Sequence, residues 1–259
     1  MKRSTTSADR RVSLWAVLFW LAVWQIAALL LDEPLLLVSP IETLTRLSAL
    51  VLESSFWKSI AFSLGRIMLG FLYSCVLGVA LAALAYRFRT VRRLLSPLTA
   101  AVKAVPVASF VILALLWVSS KNLSILVSLL IGFPVIYLNT LAGFDSMDPQ
   151  LIQMAQVFRV PVSRQFSVIY FNQILPFLRS GLNVAIGLCW KSGVAAEVIG
   201  IPPGSVGEKL YSAKVLLETA DLFCWTLVIV LLSVGCEKLL TFLLNLAQRG
   251  ALQCWKQST

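Results

Sequence analysis

The chain has 259 residues, of which 59% are hydrophobic and only 13% charged, with a formal net charge of +10. A soluble domain of this size carries about one-quarter charged residues, so the bulk of the chain reads as lipid-embedded, and its cations as flanks of membrane spans, not a nucleic-acid surface. It contains no histidine, which removes His-based zinc sites, Ser-His-Asp triads and histidine proton relays together.

In chain order, Lys2, Arg3, Arg10 and Arg11 precede an uncharged run from Val12 to Leu31. That run exceeds the roughly 7–15 residues of a signal-peptide core, and no small-x-small cleavage site follows it, so it reads as a retained first span behind a cytoplasmic tail, 1–11. Ser39-Pro40-Ile41-Glu42 matches a capping box with proline at the first helical position. Ile41, Leu44, Leu47 and Val51 then recur at helical spacing, which fits either an amphipathic helix on the outer interface or a connector helix packed on the bundle.

Five further apolar runs have the roughly 20 residues that a crossing needs. Ile67–Tyr86 lies between Arg66, read as an interfacial anchor, and Arg87. Leu94–Ser120 contains Lys103 just before Ala104-Val105-Pro106, where proline is expected to kink the helix and lysine to reach the freed carbonyls. Asn122–Phe144 is uncharged, and Leu222–Leu246 holds only the adjacent Glu237 and Lys238, to which no role is assigned. Pro176–Ile199 is apolar but carries Arg179, Lys191 and Glu197. The expectation is an all-α polytopic membrane protein with six transmembrane helices over 12–246 and a second cytoplasmic tail over 247–259. The arginines at 87, 89, 92, 93, 159, 164, 179 and 249, with the N-terminal cluster, outweigh Arg46, Lys58, Lys121, Lys209 and Lys214 on the other side, which sets both termini in the cytoplasm.

The segment 148–176 is then cytoplasmic. Asp148-Pro149 reads as N-cap and first helical residue, Pro161 breaks the helix, and Ser163 caps a second short helix leading to Pro176. Leu151, Met154, Ala155 and Phe158 share one face, an apolar stripe outside the membrane that packs either on this chain's own helix ends or on another protein.

This stretch resembles the EAA loop of ABC importer membrane subunits. Gln153-Met154-Ala155 falls on the Glu-Ala-Ala of that motif, Arg159 on its glycine, Ile169 on its isoleucine, and Leu175-Pro176 on a downstream Leu-Pro. Glutamate is replaced by Gln153 and glycine by Arg159. If residue 159 is left-handed, arginine there costs on the order of 1 kcal/mol. LLLVSPIETL (35–44), SLGRIMLGF (63–71), NTLAGFDSMDPQLI (139–152), VAAEVIG (194–200) and ETADLFCWTLVIVLLS (218–233) extend the likeness, in order, over about residues 12–246. The subgroup it is most similar to is the nitrate/sulfonate/taurine-type permeases, MetI-like in fold, whose relatives also carry thiamine precursors. The resemblance implies a coupling helix that inserts into a separate ATPase, two permease copies around one pore, an extracytoplasmic substrate-binding protein, and ATP and magnesium held on the ATPase. It places span five beside the translocation path.

Lys191 and Glu197 are six residues apart, about 9 Å along the helix and on different faces. An ionisable group in the membrane usually faces a cavity or a partner. Lys191 is read as facing the path and favouring an anionic or strongly polar solute, or else as snorkelling or pairing with another span. Glu197, near the outer end, is expected to reach water. Gly181, Ala185, Cys189, Ser192 and Ala196 make a small-residue face for close helix approach, and Ser192 joins Lys191 and Glu197 as a candidate pathway residue.

The five cysteines form no CxxC pair and no disulfide framework. GIPPGSVGEKL (200–210) lacks the spacing of a phosphate loop, so ATP hydrolysis belongs to a partner chain. A membrane enzyme would need more than Asp145 with Asp148. An ion-coupled carrier using Glu197 is the competing reading.

Overall fold

The computed structural model describes residues 14–31, 33, 35–161, 165 and 170–257. The described residues form ten helices and no strand, taken here in chain order as α1 (Leu14–Leu31), α2 (Pro40–Val51), α3 (Ser54–Arg87), α4 (Arg89–Ala104), α5 (Val107–Ala114), α6 (Ser120–Asp145), α7 (Pro149–Val157), α8 (Phe171–Gly200), α9 (Val206–Val215) and α10 (Thr219–Gln257). Four helical segments are long and apolar enough to cross a membrane: Ser54–Arg87, Ser120–Asp145, Gln173–Gly200 and Thr219–Leu246.

The centre is a three-helix unit of α3, α6 and α8, and small residues let it close. A methyl group on Gly70 or Gly78 would overlap α6, and one on Gly132 would overlap Ser74 of α3 and Cys189 of α8. The Ser128 hydroxyl donates to the Cys189 carbonyl, and the Cys189 thiol donates back to the Ser128 carbonyl, both at 3.1 Å. All five members of the small-residue face expected on span five, Gly181 to Ala196, are buried.

The contacts also fix the direction of each helix. Arg66 of α3 reaches the Lys121 carbonyl and the Asn122 side chain at the start of α6, while Tyr86 stacks on Phe144 at its end. So α3 and α6 run parallel, and α4–α5 must carry the chain back between them. α8 runs against α6, since Gly143 faces Ile174 and Gly200 faces Leu123. α10 runs against α8, with Arg179 bonded to Asn245 and Thr241 to Asn183.

Several expectations change. The second span starts not beside Arg66 but at Ser54, and α3, with 34 residues, is about 51 Å long, well beyond a hydrocarbon core of about 30 Å. Arg66 therefore sits inside the helix, its guanidinium 4.6 Å from the Phe62 ring. The third span is not a kinked rod: α4 and α5 meet at 103° across Val105-Pro106, and Lys103 is exposed and bonds no carbonyl among the described residues. The fifth helix begins at Phe171, so Pro176 lies within it and does not start it. α1 is a shorter apolar helix, tied down where the Trp24 indole donates to the Val38 carbonyl at 3.0 Å and packs on Phe223.

At the end of the bundle where α3, α6 and α10 start, α2, α9 and the first turns of α3 and α10 enclose a second core of Leu50, Phe56, Ile60, Val206, Cys224, Trp225 and Val228. Ser39 caps α2 by accepting from the Glu42 amide at 3.2 Å. α2 packs inward through Thr43 and Leu50 and leaves Ile41 and Leu44 outward. Arg46 of α2 chelates Asp221 of α10, and this pairing raises the arginine's pKa above its usual value.

Candidate functional site

At the opposite end of the bundle, α6 gives way to α7. Asp148 is the N-cap, its Oδ1 accepting from the Gln150 amide at 2.9 Å, with Pro149 first in the helix. The other end of α7 is a Schellman turn. The Val160 amide donates to the Ala155 carbonyl at 2.9 Å, and Arg159 is left-handed at φ 51°. Residue 159, where the EAA motif has glycine, is thus the residue whose backbone favours glycine.

The face of α7 is not the one that spacing alone suggests. Ala155 is buried at 2% exposure, whereas Leu151, Met154, Val157 and Phe158 are exposed, Phe158 at 75%. Gln153, Arg159 and Pro161 are exposed as well. The result is a short helix that buries Ala155 and exposes Leu151, Met154 and Phe158 as an apolar strip. Ile169 and Ser163 lie outside the described residues. Just behind α7, Arg92 of α4 forms a bidentate pair with Asp145 at the end of α6, at 3.0 and 2.8 Å.

The polar groups of α8 separate. Lys191 is exposed, on a stripe with Phe177, Ser180, Val184 and Leu188 that stays open among the described residues. Ser192 is buried, its hydroxyl donating to the Cys189 carbonyl at 3.3 Å. Glu197 does not reach water as expected; it is fully buried, because the chain after α8 folds back and sets α9 over it. The Ser63 hydroxyl donates to Glu197 Oε2 at 2.5 Å and accepts from the Val206 amide at 2.9 Å. The Gly207 amide lies 3.4 Å from the same carboxylate oxygen, which sits at the positive end of α9. Glu197 Oε1 and Ser124 Oγ of α6 are buried and have no hydrogen-bond partner among the described residues. Gly207 is required, since a methyl group there would overlap the backbone of Glu197 and Val198.

Ser63 and Gly207 are absent from the sequence reading, because nothing in the chain's spacing joins residue 63 to 197. Glu237 is a further case: its Oε1 sits against Gly187, where an added Cβ would be 2.5 Å away. With Thr241–Asn183, Arg179–Asn245 and the Trp190 indole donating to the Ile229 carbonyl at 2.9 Å, it forms a polar seam between α8 and α10.

The described residues thus form a helical bundle with one short helix, carrying an exposed apolar strip, beyond its end. The family model of binding-protein-dependent transport system inner membrane components matches residues 74–251, well over half of the chain. The chain belongs to this family. Its relatives include a Bacillus subtilis permease assigned to aliphatic sulfonates transport, 27% identical and covering 92% of this chain and 85% of that one. The taurine transport system permease of Escherichia coli is 28% identical, over 88% of this chain and 82% of the other. The formylaminopyrimidine transport permease of Halalkalibacterium halodurans is 28% identical, over 79% and 80%. This chain is therefore an ABC importer permease of the sulfonate/taurine/nitrate type, an inner-membrane component whose family works with an ATPase and a substrate-binding protein.

Proposed function

We propose that this permease carries a small polar or anionic solute, of the sulfonate, taurine or thiamine-precursor kind, from a separate binding protein across the membrane, driven by an ATPase docked on α7. The observation that carries the reading is the exposed apolar strip of Leu151, Met154 and Phe158 on a helix whose Ala155 is buried. An apolar strip beyond the spans needs a partner to cover it, and the EAA likeness names that partner as the ATP-binding subunit, which also holds ATP and magnesium. Gln153, Arg159 and Pro161 complete the docking element, with Ile169 and Pro176 leading from it into α8.

Six crossings support the reading best: the four long helices, α1, and the α4–α5 pair, whose bend does not change the end-to-end course that its neighbours require. The end bearing α7 collects Arg87, Arg89, Arg92, Arg93 and Arg159, which favours that end, and both termini, in the cytoplasm. α2 and α9 then face the binding protein. Two copies complete the pore, and the open stripe of α8 with Lys191 faces the shared path, where an exposed cation meets water and not lipid. Ser192 and Glu197 serve the path by holding α8 against α6 and α9. An ion-coupled carrier built on Glu197 would need that carboxylate to meet water, and it is sealed beneath α9.

The test is reconstitution of this permease with its ATPase and binding protein in liposomes. ATP-dependent accumulation of taurine or another small sulfonate is expected, lost in Phe158→Glu while the protein still folds. Accumulation driven by an ion gradient without ATP would overturn the reading.

A further inference from the structure

α4 has three distinct sides. Val91 and Leu95 pack on the core of α3 and α6, and Thr99 on the same side is buried and Val102 half-buried. Leu94 and Leu98, at 69% and 51% exposure, form an apolar side open to lipid. Arg89, Arg93, Ser96 and Lys103 recur at i, i+4, i+7 and i+14 and form a third side, exposed throughout and broken only by the small Ala100. Among the described residues no carboxylate pairs with Arg89, Arg93 or Lys103; the acid of this region, Asp145, is taken by Arg92.

This basic side does not stay at the membrane surface. Arg92 is level with Asp145, the last residue of α6, while α5, which follows Lys103 directly, packs on Leu123 and Val127 in the first third of α6. Along its own axis α4 advances about 1.5 Å per residue, so Arg89 and Arg93 stay near the Asp145 level while Lys103, in the last turn of α4, lies deeper. A lipid-facing cation is unfavourable at that depth, and a helix with one apolar and one cationic open side is at home where lipid borders water.

We propose that the Arg89–Arg93–Ser96–Lys103 side of α4 is the cationic wall of a water-filled exit, and that it selects anionic solutes on their way to the cytoplasm. This deepens the importer reading and rests on it for the direction of travel. The solute class is a small monoanion such as a sulfonate. Guanidinium and ammonium groups spaced along a wall of low polarity hold a positive potential that concentrates anions and repels cations.

The test uses the assembled importer in inside-out vesicles, with its native cysteines replaced by alanine and uptake retained. Arg93→Cys and Lys103→Cys are each treated with the anionic reagent methanethiosulfonate ethylsulfonate and with its trimethylammonium counterpart, and rates are normalised to a free thiol. The proposal expects both sites to react and the anionic reagent to be favoured by about tenfold. Equal rates, a preference for the cationic reagent, or no reaction at either site because lipid or a second subunit covers it, would each overturn it. A second measurement needs no cysteine replacement: R93Q/K103Q should lower uptake of a sulfonate by about tenfold with ATP hydrolysis intact, and R93K/K103R should restore it. ATP hydrolysis in the same vesicles reports separately on the α7 coupling, so a failed stripe and a failed importer reading give different results.

Discussion

Arg159 is left-handed at φ 51°, and for an L-residue with a side chain that conformation costs roughly 1–2 kcal/mol. Arg159→Gly is therefore expected to raise the detergent-solubilised protein's unfolding temperature by an amount corresponding to about 1 kcal/mol, while an unchanged or lower temperature would show that the arginine makes a compensating contact. Ser63 carries the opposite expectation. It is donor to Glu197 and acceptor for the Val206 amide at once, so Ser63→Ala leaves the Val206 amide unpaired and Glu197 Oε2 with only the 3.4 Å Gly207 contact, and is expected to cost about 1–3 kcal/mol, measured by the same thermal unfolding. At this scale the sequence was partly legible. The motif's glycine raised a left-handed Arg159 as one of two ways to end the helix, Pro161 being the other, and the backbone takes the first. The depth of Glu197 did not, because hydropathy along one helix carries no information about a later helix folding over it.

At the scale of elements, Asp148-Pro149 and the i, i+3, i+7 apolar spacing marked α7 correctly, and Ser39-Pro40 marked α2. Periodicity says which residues share a face but not which residue is pressed inward, so Ala155, which is buried, was grouped with the exposed strip. Span boundaries were misread where polar residues continue a helix: Lys58, Ser59, Ser63 and Arg66 interrupt the apolar run, yet α3 passes straight through them because Ser63 and Arg66 find partners on α6, α8 and α9. The lid over Glu197 has its own test. Gly207→Ala would overlap the α8 backbone and push α9 off its seat, with an expected loss of about 1–3 kcal/mol. Limited proteolysis between α8 and α9 should become faster; an unchanged digestion pattern would contradict the close packing described here.

For the whole molecule, composition and the positive-inside count gave a polytopic helical protein, and the family match agrees with that class. The course of the bundle was not legible, because it depends on contacts such as Tyr86–Phe144 and Asn183–Thr241 between segments far apart in the chain. The open stripe of α8 is a property at this scale, since only the arrangement of the other helices leaves Lys191 uncovered. Lys191→Met is expected to slow solute uptake with expression and ATPase association unchanged, measured as initial uptake rate in reconstituted vesicles; a wild-type rate would remove Lys191 from the path.

The central claim is that the outward strip of α7 is where the ATPase drives the permease. The direct measurement is co-purification of the ATP-binding subunit with Phe158→Glu and with Met154→Glu, each checked for a wild-type elution profile and unfolding temperature. The account predicts that both variants fold and lose the ATPase. Full retention of the ATPase by both folded variants would contradict it.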